Sequence, residues 1–260
     1  MINFSKYQGT GNDFILIDNR SGKFIHNKID FARKWCDRRF GIGSDGLIFI
    51  EGSAHADFKV DFYNPDGSQS FCGNGSRCAV RFAIEIGVSS KSELSFEAID
   101  GLHKAKLLDN DISILMKDVT EVKTIAADYF IHTGSPHYIS FDEKQEKDII
   151  EFGKKIRYSD EYKPVGTNVN LVHTISGNHI QVKTYERGVE DETFSCGTGV
   201  TACALAYAEK NNLKDGTVIT DVRGGRLNVK FESYANGYRN IWLTGPAEYV
   251  FEGIIHDSVK

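Results

Sequence analysis

The sequence has no CxxC pair, no apolar run long enough to cross a bilayer and no surplus of basic residues. Each absence removes a class of function. Zinc ribbons and thioredoxin-like redox centres are built on closely spaced cysteine pairs, so that reading starts without its main support. A membrane span needs about 18–20 consecutive apolar residues, which no stretch supplies. With 31 Lys and Arg against 36 Asp and Glu, the net charge is −5. Nucleic acid and anionic membrane surfaces both call for a basic patch, so neither is expected as a partner. The opening residues, MINFSKYQGTGNDF, lack the basic start and apolar run of a signal peptide, and a cytoplasmic location is the expectation. Linkers rich in Pro or Ser are missing too, so composition does not mark a domain boundary.

What is present is a strand-rich chain. Its 260 residues suit one large domain or two ordinary ones. Phe58, Val60 and Phe62 alternate with Lys59, Asp61 and Tyr63, the period of a half-buried strand. HKAKLL and ISILM flank Asp109-Asn110-Asp111, and NLVHTI and HIQVKTYE flank Ser176-Gly177-Asn178, as in two hairpins. VITDV, LNVKFE, NIWLTG and AEYVFE read as further strands. Amphipathic helices are expected over 29–39, through Phe31 and Trp35, and over 143–157, through Ile149, Ile150, Phe152 and Ile156.

Five cysteines, an odd number, point to free thiols in a reducing compartment. Cys36, Cys78 and Cys203 read as small buried residues. The other two head a repeated pattern. FCGNGSRCA (71–79) and SCGTGVTACA (195–204) each set a cysteine before a Gly-x-Gly turn, about half the chain apart, with an apolar helix following. SRCAVRFAIEIG is apolar nearly all round, and GVTACALAYAEK is apolar or small on every side until Glu209. A helix without a polar face belongs inside something. The expected fold is therefore α+β: two related halves, each a curved sheet wrapped around its own helix. The boundary between them is expected within 115–124.

A helix N-terminus carries four unpartnered N–H groups and about half a positive charge. A cysteine placed just ahead of it has its thiolate favoured, so its pKa falls below about 8.5, and the same N–H groups can cradle a carboxylate. Two such thiols on opposite faces of one carbon could invert it, one taking the α-proton and the other returning one. The pair must share a single proton, since two adjacent thiolates repel. Amide dipoles aimed at the adjacent carboxylate would stabilise the carbanion-like transition state. Two other readings stand beside this one. A racemase acting on a monocarboxylate such as proline would use the same cysteines with less need of a second charged grip. A redox or metal module would pair Cys72 with Cys78 or Cys196 with Cys203, but such positions on one helix lie roughly 9–10.5 Å apart along its axis, beyond disulfide reach. GIGSDG (41–46) matches GxGxxG, yet a helix-like segment precedes it and the strand LIFIE follows, the reverse of a dinucleotide-binding turn.

Taken together, KYQGTGNDFILID, FGIGSDGLI, FYNPDGSQSFCGNGSRCAVRF, TGSPH, GTNVN, YERGVEDETFSCGTGVTACA and LTGPAEYVF resemble the diaminopimelate epimerase family over nearly the whole chain. The resemblance implies two pseudo-symmetric domains, each a β-barrel-like sheet wrapped around a central helix, with the last strands returning to the first domain, so that 1–118 with 247–260 would form one domain and 119–246 the other. It implies interconversion of LL- and meso-diaminopimelate without metal, pyridoxal phosphate or other cofactor, in lysine and peptidoglycan precursor synthesis. By motif, Cys72 and Cys196 would be the acid–base pair, supported by His137 and Glu186. Asn12, Asn64, Asn168, Glu186 and Arg187 would contact the diamino dicarboxylate, and Gly73, Asn74, Gly197 and Thr198 would form the backbone cradles. A planar guanidinium suits a two-pronged carboxylate contact, and a carboxylate accepts from an ammonium. Two positions depart from the family pattern: Ser135 stands where many members have asparagine, and Gly46 where some have a substrate-touching glutamine. Edge strands could pair two chains as a homodimer, though nothing in the sequence requires it.

Overall fold

The computed structural model describes residues 1–256. The chain forms two compact units, one of Met1–Ile114 with the segment returning from Gly245, the other of Leu115–Thr244.

In the first unit, β1 (Ile2–Gly9) and β2 (Asn12–Asp18) form a hairpin, and α1 (Lys28–Trp35) leads to β3 (Gly46–Glu51). Next come β4 (Phe58–Tyr63), α2 (Gly73–Glu85), β5 (Glu93–Ala98), β6 (Gly101–Leu108) and β7 (Asp111–Leu115). A final strand, β16 (Glu248–Ile255), returns to pair with β1. The sheet order is β16-β1-β2-β3-β4-β5-β6-β7. Its neighbouring pairs run antiparallel, antiparallel, parallel, antiparallel, parallel, antiparallel, antiparallel.

The second unit repeats this plan. It contains β8 (Val122–Ile125), β9 (Asp128–His132), β10 (Pro136–Phe141), α3 (Ile149–Arg157), β11 (Asn168–Ser176) and β12 (His179–Tyr185). Then follow α4 (Gly197–Lys210), β13 (Asp215–Val222), β14 (Gly225–Tyr234) and β15 (Gly237–Pro246). Neighbouring pairs from β8 to β15 show the same series of directions. Parallel neighbours cannot be joined by a tight turn, and each half meets this need twice with a helix. α1 and α3 link the first parallel pair, α2 and α4 the second. The architecture is thus α+β with two like-built halves, each a sheet around a helix.

Each sheet is covered on both faces where the helices lie. Phe14 and Leu16 of β2 and Ile48 and Ile50 of β3 share a core with Cys78, Ala79, Val80 and Ala83 of α2. The alternate residues, Ile15, Ile17, Leu47 and Phe49, pack with Phe31 and Ala32 of α1. Strands covered on both faces lose the polar alternation of half-buried ones, which is why FILI and LIFI are apolar throughout. In the second unit α4 lies within a core from β9 to β15, and α3 packs with Val169, Leu171 and Tyr185. Arg77 of α2 is wholly buried and ties the returning segment in place, donating to Pro246 O (3.3 Å) and Thr10 Oγ1 (3.0 Å).

Three expectations shift in register. The helix expected over 29–39 stops at Trp35, because the Asp37 carboxylate captures the N–H groups of Arg39 and Phe40. The helix expected from 143 starts at Ile149, capped by Asp148, which accepts from Ile150 N and Glu151 N (both 2.9 Å). The glycines after Cys72 and Cys196 do not form a turn ahead of their helices. They are the first and third residues of α2 and α4, with the cysteines as N-caps. None of the four has a positive φ, so glycine is needed there for closeness rather than for a turn. A Cβ at Gly199 would lie 2.8 Å from Asn170 Oδ1 and 3.2 Å from His137 Cε1.

Candidate active site

In the first unit, Cys72 caps α2 with an extended backbone (φ −125°, ψ 111°), and its sulfur accepts from Gly75 N at 3.4 Å. The four opening N–H groups of the helix lack intrahelical partners, and this bond engages one of them with the sulfur. Asn74, the second helical residue, is buried and donates through Nδ2 to Asn12 Oδ1 at 2.6 Å. Asn12 opens β2 and donates in turn to Asp45 Oδ2 at 3.0 Å. Behind this pair Arg38 grips Asp13 through both terminal nitrogens (3.1 and 2.6 Å) and reaches Asp45 Oδ1 at 2.7 Å. Lys6 Nζ adds a contact to Asp13 at 2.7 Å. Partial burial works against the charge of Asp13, but Arg38 and Lys6 outweigh it and hold its carboxyl down at about 2. Asn64 lies just past β4. Its Nδ2 fastens the loop that leads to Cys72, donating to Ser68 O, Ser68 Oγ and Ser70 Oγ at 3.1–3.2 Å.

In the second unit, Cys196 caps α4 with nearly the same backbone (φ −119°, ψ 106°), yet its side chain makes no cap bond to the helix. Its sulfur meets Thr198 Oγ1 at 3.4 Å. Thr198 Oγ1 also contacts His137 Nε2 (2.9 Å) and Ser135 Oγ (3.1 Å), and Ser135 Oγ meets the same ring nitrogen at 2.9 Å. Asn168 Nδ2 donates to Ser135 Oγ (3.2 Å) and Pro136 O (2.9 Å), while its Oδ1 accepts from Arg187 N (2.8 Å). The expected residues His137, Asn168, Arg187, Cys196 and Thr198 therefore form one connected group, with Gly197 between the last two. The sheet explains the meeting: His137 pairs with Asn168 across β10 and β11, and Asn170 with Thr184 across β11 and β12.

His137 is fully buried. Burial, aided by the nearby His132 and Arg187, pushes it down to about 3, so the ring is neutral at working pH. Glu186 and Arg187 begin the turn after β12, and both are half-buried. Glu190, which closes that turn at φ 62°, collects Gly188 N (3.0 Å), Arg157 Nε (3.2 Å), Arg157 Nη2 (3.1 Å), Tyr158 OH (2.7 Å) and Tyr185 OH (3.1 Å). Burial opposes its charge, but these donors prevail and lower its carboxyl to about 2. Glu190 thus pins the Glu186-Arg187 turn to α3. Among the described residues no cluster of three His, Cys, Asp or Glu side chains is set to hold a metal, and none of the five cysteines is in a disulfide.

The family model described as diaminopimelate epimerase matches twice, over residues 4–122 and 129–250, once in each half. The diaminopimelate epimerase of Flavobacterium psychrophilum is 49% identical over 253 residues, covering 96% of this chain and 98% of that one. That of Aquifex aeolicus is 41% identical over 277 residues, covering 98% of each. The chain belongs to the diaminopimelate epimerase family. Solved structures share the fold at low identity. A PhzF-family phenazine biosynthesis protein of Bacillus anthracis gives a TM-score of 0.77 at 17% identity, covering 98% of this chain and 99% of that one. A hydroxyproline epimerase of Agrobacterium vitis gives 0.70 at 14%, covering 97% and 90%.

Within this diaminopimelate epimerase family member, both departures have a structural setting. Ser135 is a hinge of the second-unit network, shared by Asn168, His137 and Thr198. At Gly46 a Cβ would fall 2.5 Å from the Phe62 ring, so the ring occupies the space a glutamine stem would need. Sequence reading missed Asn170, Thr184, Glu190, Arg38 and Asp45. Asn168 and Asn170 gave a usable signal, two amides spaced i, i+2 on one face of an otherwise apolar strand.

Proposed function

We propose that this protein is a cofactor-independent isomerase that interconverts LL- and meso-diaminopimelate, with Cys72 and Cys196 exchanging protons at the α-carbon, in lysine and peptidoglycan precursor synthesis in the cytoplasm. One observation carries the reading: two halves of the same strand plan each set a cysteine at the N-cap of their buried helix. In one direction one sulfur removes the α-proton as thiolate while the other, as thiol, supplies a proton to the opposite face; the reverse direction exchanges the roles. The α-carboxylate takes up the developing charge and is held by the backbone N–H groups opening α2 and α4, beside Gly73, Asn74, Gly197 and Thr198. Glu186 and Arg187 suit an ammonium and a carboxylate of a diamino dicarboxylate. Asn12, Asn64 and Asn168 complete the substrate-facing set, and neutral His137 supports proton transfer through its hydroxyl partners. The two units serve as the two catalytic domains. Edge strand β16 exposes Tyr249, Val250, Phe251 and Ile254, which supports pairing of two chains as a homodimer.

The test is solvent exchange. In deuterium oxide, with no added cofactor, the α-hydrogen of diaminopimelate is expected to exchange, and Cys72→Ala and Cys196→Ala are each expected to abolish epimerisation at saturating substrate. Exchange of proline in place of diaminopimelate would overturn the substrate, and near-wild-type turnover in either variant would overturn two-base chemistry.

A further inference from the structure

The two cysteines share a backbone conformation but not a hydrogen-bonding environment. Cys72 takes a main-chain N–H from the third residue of its helix. Cys196 makes no such cap bond, and its sulfur faces a hydroxyl.

Behind that hydroxyl lies a buried chain of side chains whose donors can be assigned in turn. Asn170 Nδ2 contacts Tyr138 O (3.0 Å) and His137 Nδ1 (3.2 Å), while Asn170 Oδ1 accepts from Thr184 Oγ1 (2.9 Å). Turning the amide over would set its oxygen against the Tyr138 carbonyl, acceptor facing acceptor, so the nitrogen belongs on that side. Its two hydrogens then go to Tyr138 O and His137 Nδ1. A neutral imidazole that accepts at Nδ1 carries its hydrogen at Nε2. That N–H is directed at the hydroxyls of Thr198 and Ser135, both 2.9 Å away. Ser135 Oγ accepts from Asn168 and turns its own hydrogen to Thr198 Oγ1 (3.1 Å), so that Thr198, accepting from Ser135 and His137, directs its hydroxyl hydrogen to Cys196 Sγ. Every donor from Thr184 onward points the same way, and aligned hydrogen bonds polarise one another.

We propose that Thr184, Asn170, His137 and Thr198 form an oriented donor relay ending on the Cys196 sulfur, which does for this thiol what the Gly75 N–H does for Cys72. Asn170 and Thr184 are positioning residues: they touch neither sulfur, but they fix the imidazole tautomer that makes Thr198 a donor. The relay deepens the function proposed above and rests on Cys196 being a proton-transfer group. Other titratable or charged groups around it are His132 at the end of β9, Arg187 in the turn after β12 and Cys203 further along α4.

The test uses alkylation of the full chain by iodoacetamide, read peptide by peptide by mass spectrometry across neutral to alkaline pH. Losing a hydrogen bond to a charged sulfur corresponds to about a tenfold change. Thr198→Val and Asn170→Leu are expected to slow alkylation of Cys196 by about tenfold at neutral pH and to move its rise to higher pH. Cys72 should be unaffected in both. Thr198→Ser, which keeps the hydroxyl, should follow wild type, and this pair carries the test if Asn170→Leu does not fold. Unchanged Cys196 reactivity in Thr198→Val, or equal slowing at both cysteines, would overturn the relay. Alkylation needs no diaminopimelate, so this result is independent of the substrate assignment.

Discussion

Alanine in place of Gly199 is the sharpest steric probe of the second-unit site. The new Cβ would lie 2.8 Å from Asn170 Oδ1, 3.2 Å from His137 Cε1 and 3.3 Å from Thr184 Oγ1. Ordinary contact lies near 3.5 Å, so the Asn170 amide must retreat by roughly half an ångström. It has nowhere easy to go, since both its oxygen and its nitrogen are engaged and β11 is held between β10 and β12. Overpacking of this kind costs about 1–3 kcal/mol, and removing a helical glycine offsets about 0.5–1 kcal/mol of it. The net loss is about 0–2.5 kcal/mol, or up to several degrees in Tm for a chain of this size, at about 2–4 °C per kcal/mol. Activity should fall further, by about tenfold, because a misplacement of about 1 Å can cost on the order of 100-fold. Gly75→Ala is the control at the matching position of α2. Its Cβ would meet Ile48 Cδ1 at 3.3 Å, Phe14 Cε1 at 3.4 Å and Cys72 Cβ at 3.5 Å. The nearest atom there is the end of a side chain that can rotate, so the helical gain should decide the sign and leave stability unchanged or raised by up to about 1 kcal/mol. Urea unfolding and deuterium exchange measure both variants. A Gly199→Ala protein as stable and as fast as wild type would refute the reasoning, as would a greater loss of stability in Gly75→Ala.

Glu190→Gln should raise KM several-fold with a much smaller change in kcat, because it loosens the turn that presents Glu186 and Arg187; steady-state kinetics separates the two. The depressed carboxyls of Glu190 and Asp13 contribute stability that is present above their ordinary values of 4.5 and 3.8 and lost as pH falls toward about 2. His137 acts over a higher window. Its folded value, about 3, lies below the ordinary 6.5, so the unfolded chain takes up the extra proton. Stability should therefore fall by on the order of 1.4 kcal/mol per pH unit below about 6.5, and His137→Gln should flatten that slope in urea titrations at several pH values. Gly46→Gln should destabilise by about 1–3 kcal/mol through overlap with Phe62, with Phe62→Leu relieving part of it; restored full stability without the second change would contradict the packing. The epimerisation rate should show a bell-shaped dependence on pH, as a pair holding one proton requires, and a flat profile through the thiol range would count against it.

Much of this molecule can be read from two short stretches, FCGNGSRCA and SCGTGVTACA. The repeated cysteine motif and the largely apolar helices behind it are enough to infer two halves, each sheltering a helix, because a helix without a continuous polar face has to be buried. Finer placement escapes such reading. A Gly-x-Gly ahead of an apolar run looks like a turn, and only the neighbours reveal that Gly199 is small because Asn170, His137 and Thr184 crowd it. Asn170 and Thr184 matter through cross-strand register, which pairs residues 14 positions apart that local periodicity does not connect. Motif resemblance singles out Asn64 and Asn168 as substrate contacts, whereas in the structure their amides fasten a loop, a strand end and a turn. Helix ends at Trp35 and Ile149 depended on which acidic side chain captured which N–H, a competition that spacing alone does not settle.

The duplicated plan also shows where the halves diverged. The cap backbones of Cys72 and Cys196 agree within a few degrees in φ and ψ, and both helices begin Gly-x-Gly. The difference lies in the residue between the glycines. Asn74 reaches away from its cysteine to Asn12, leaving the sulfur to the Gly75 N–H. The Thr198 hydroxyl lies between His137 of β10 and the Cys196 sulfur. The residue between the glycines thus engages a neighbouring amide in the first unit and the cysteine sulfur in the second. Under the two-base chemistry proposed above, in which one sulfur acts as thiolate and the other as thiol, unequal surroundings favour a different protonation state at each.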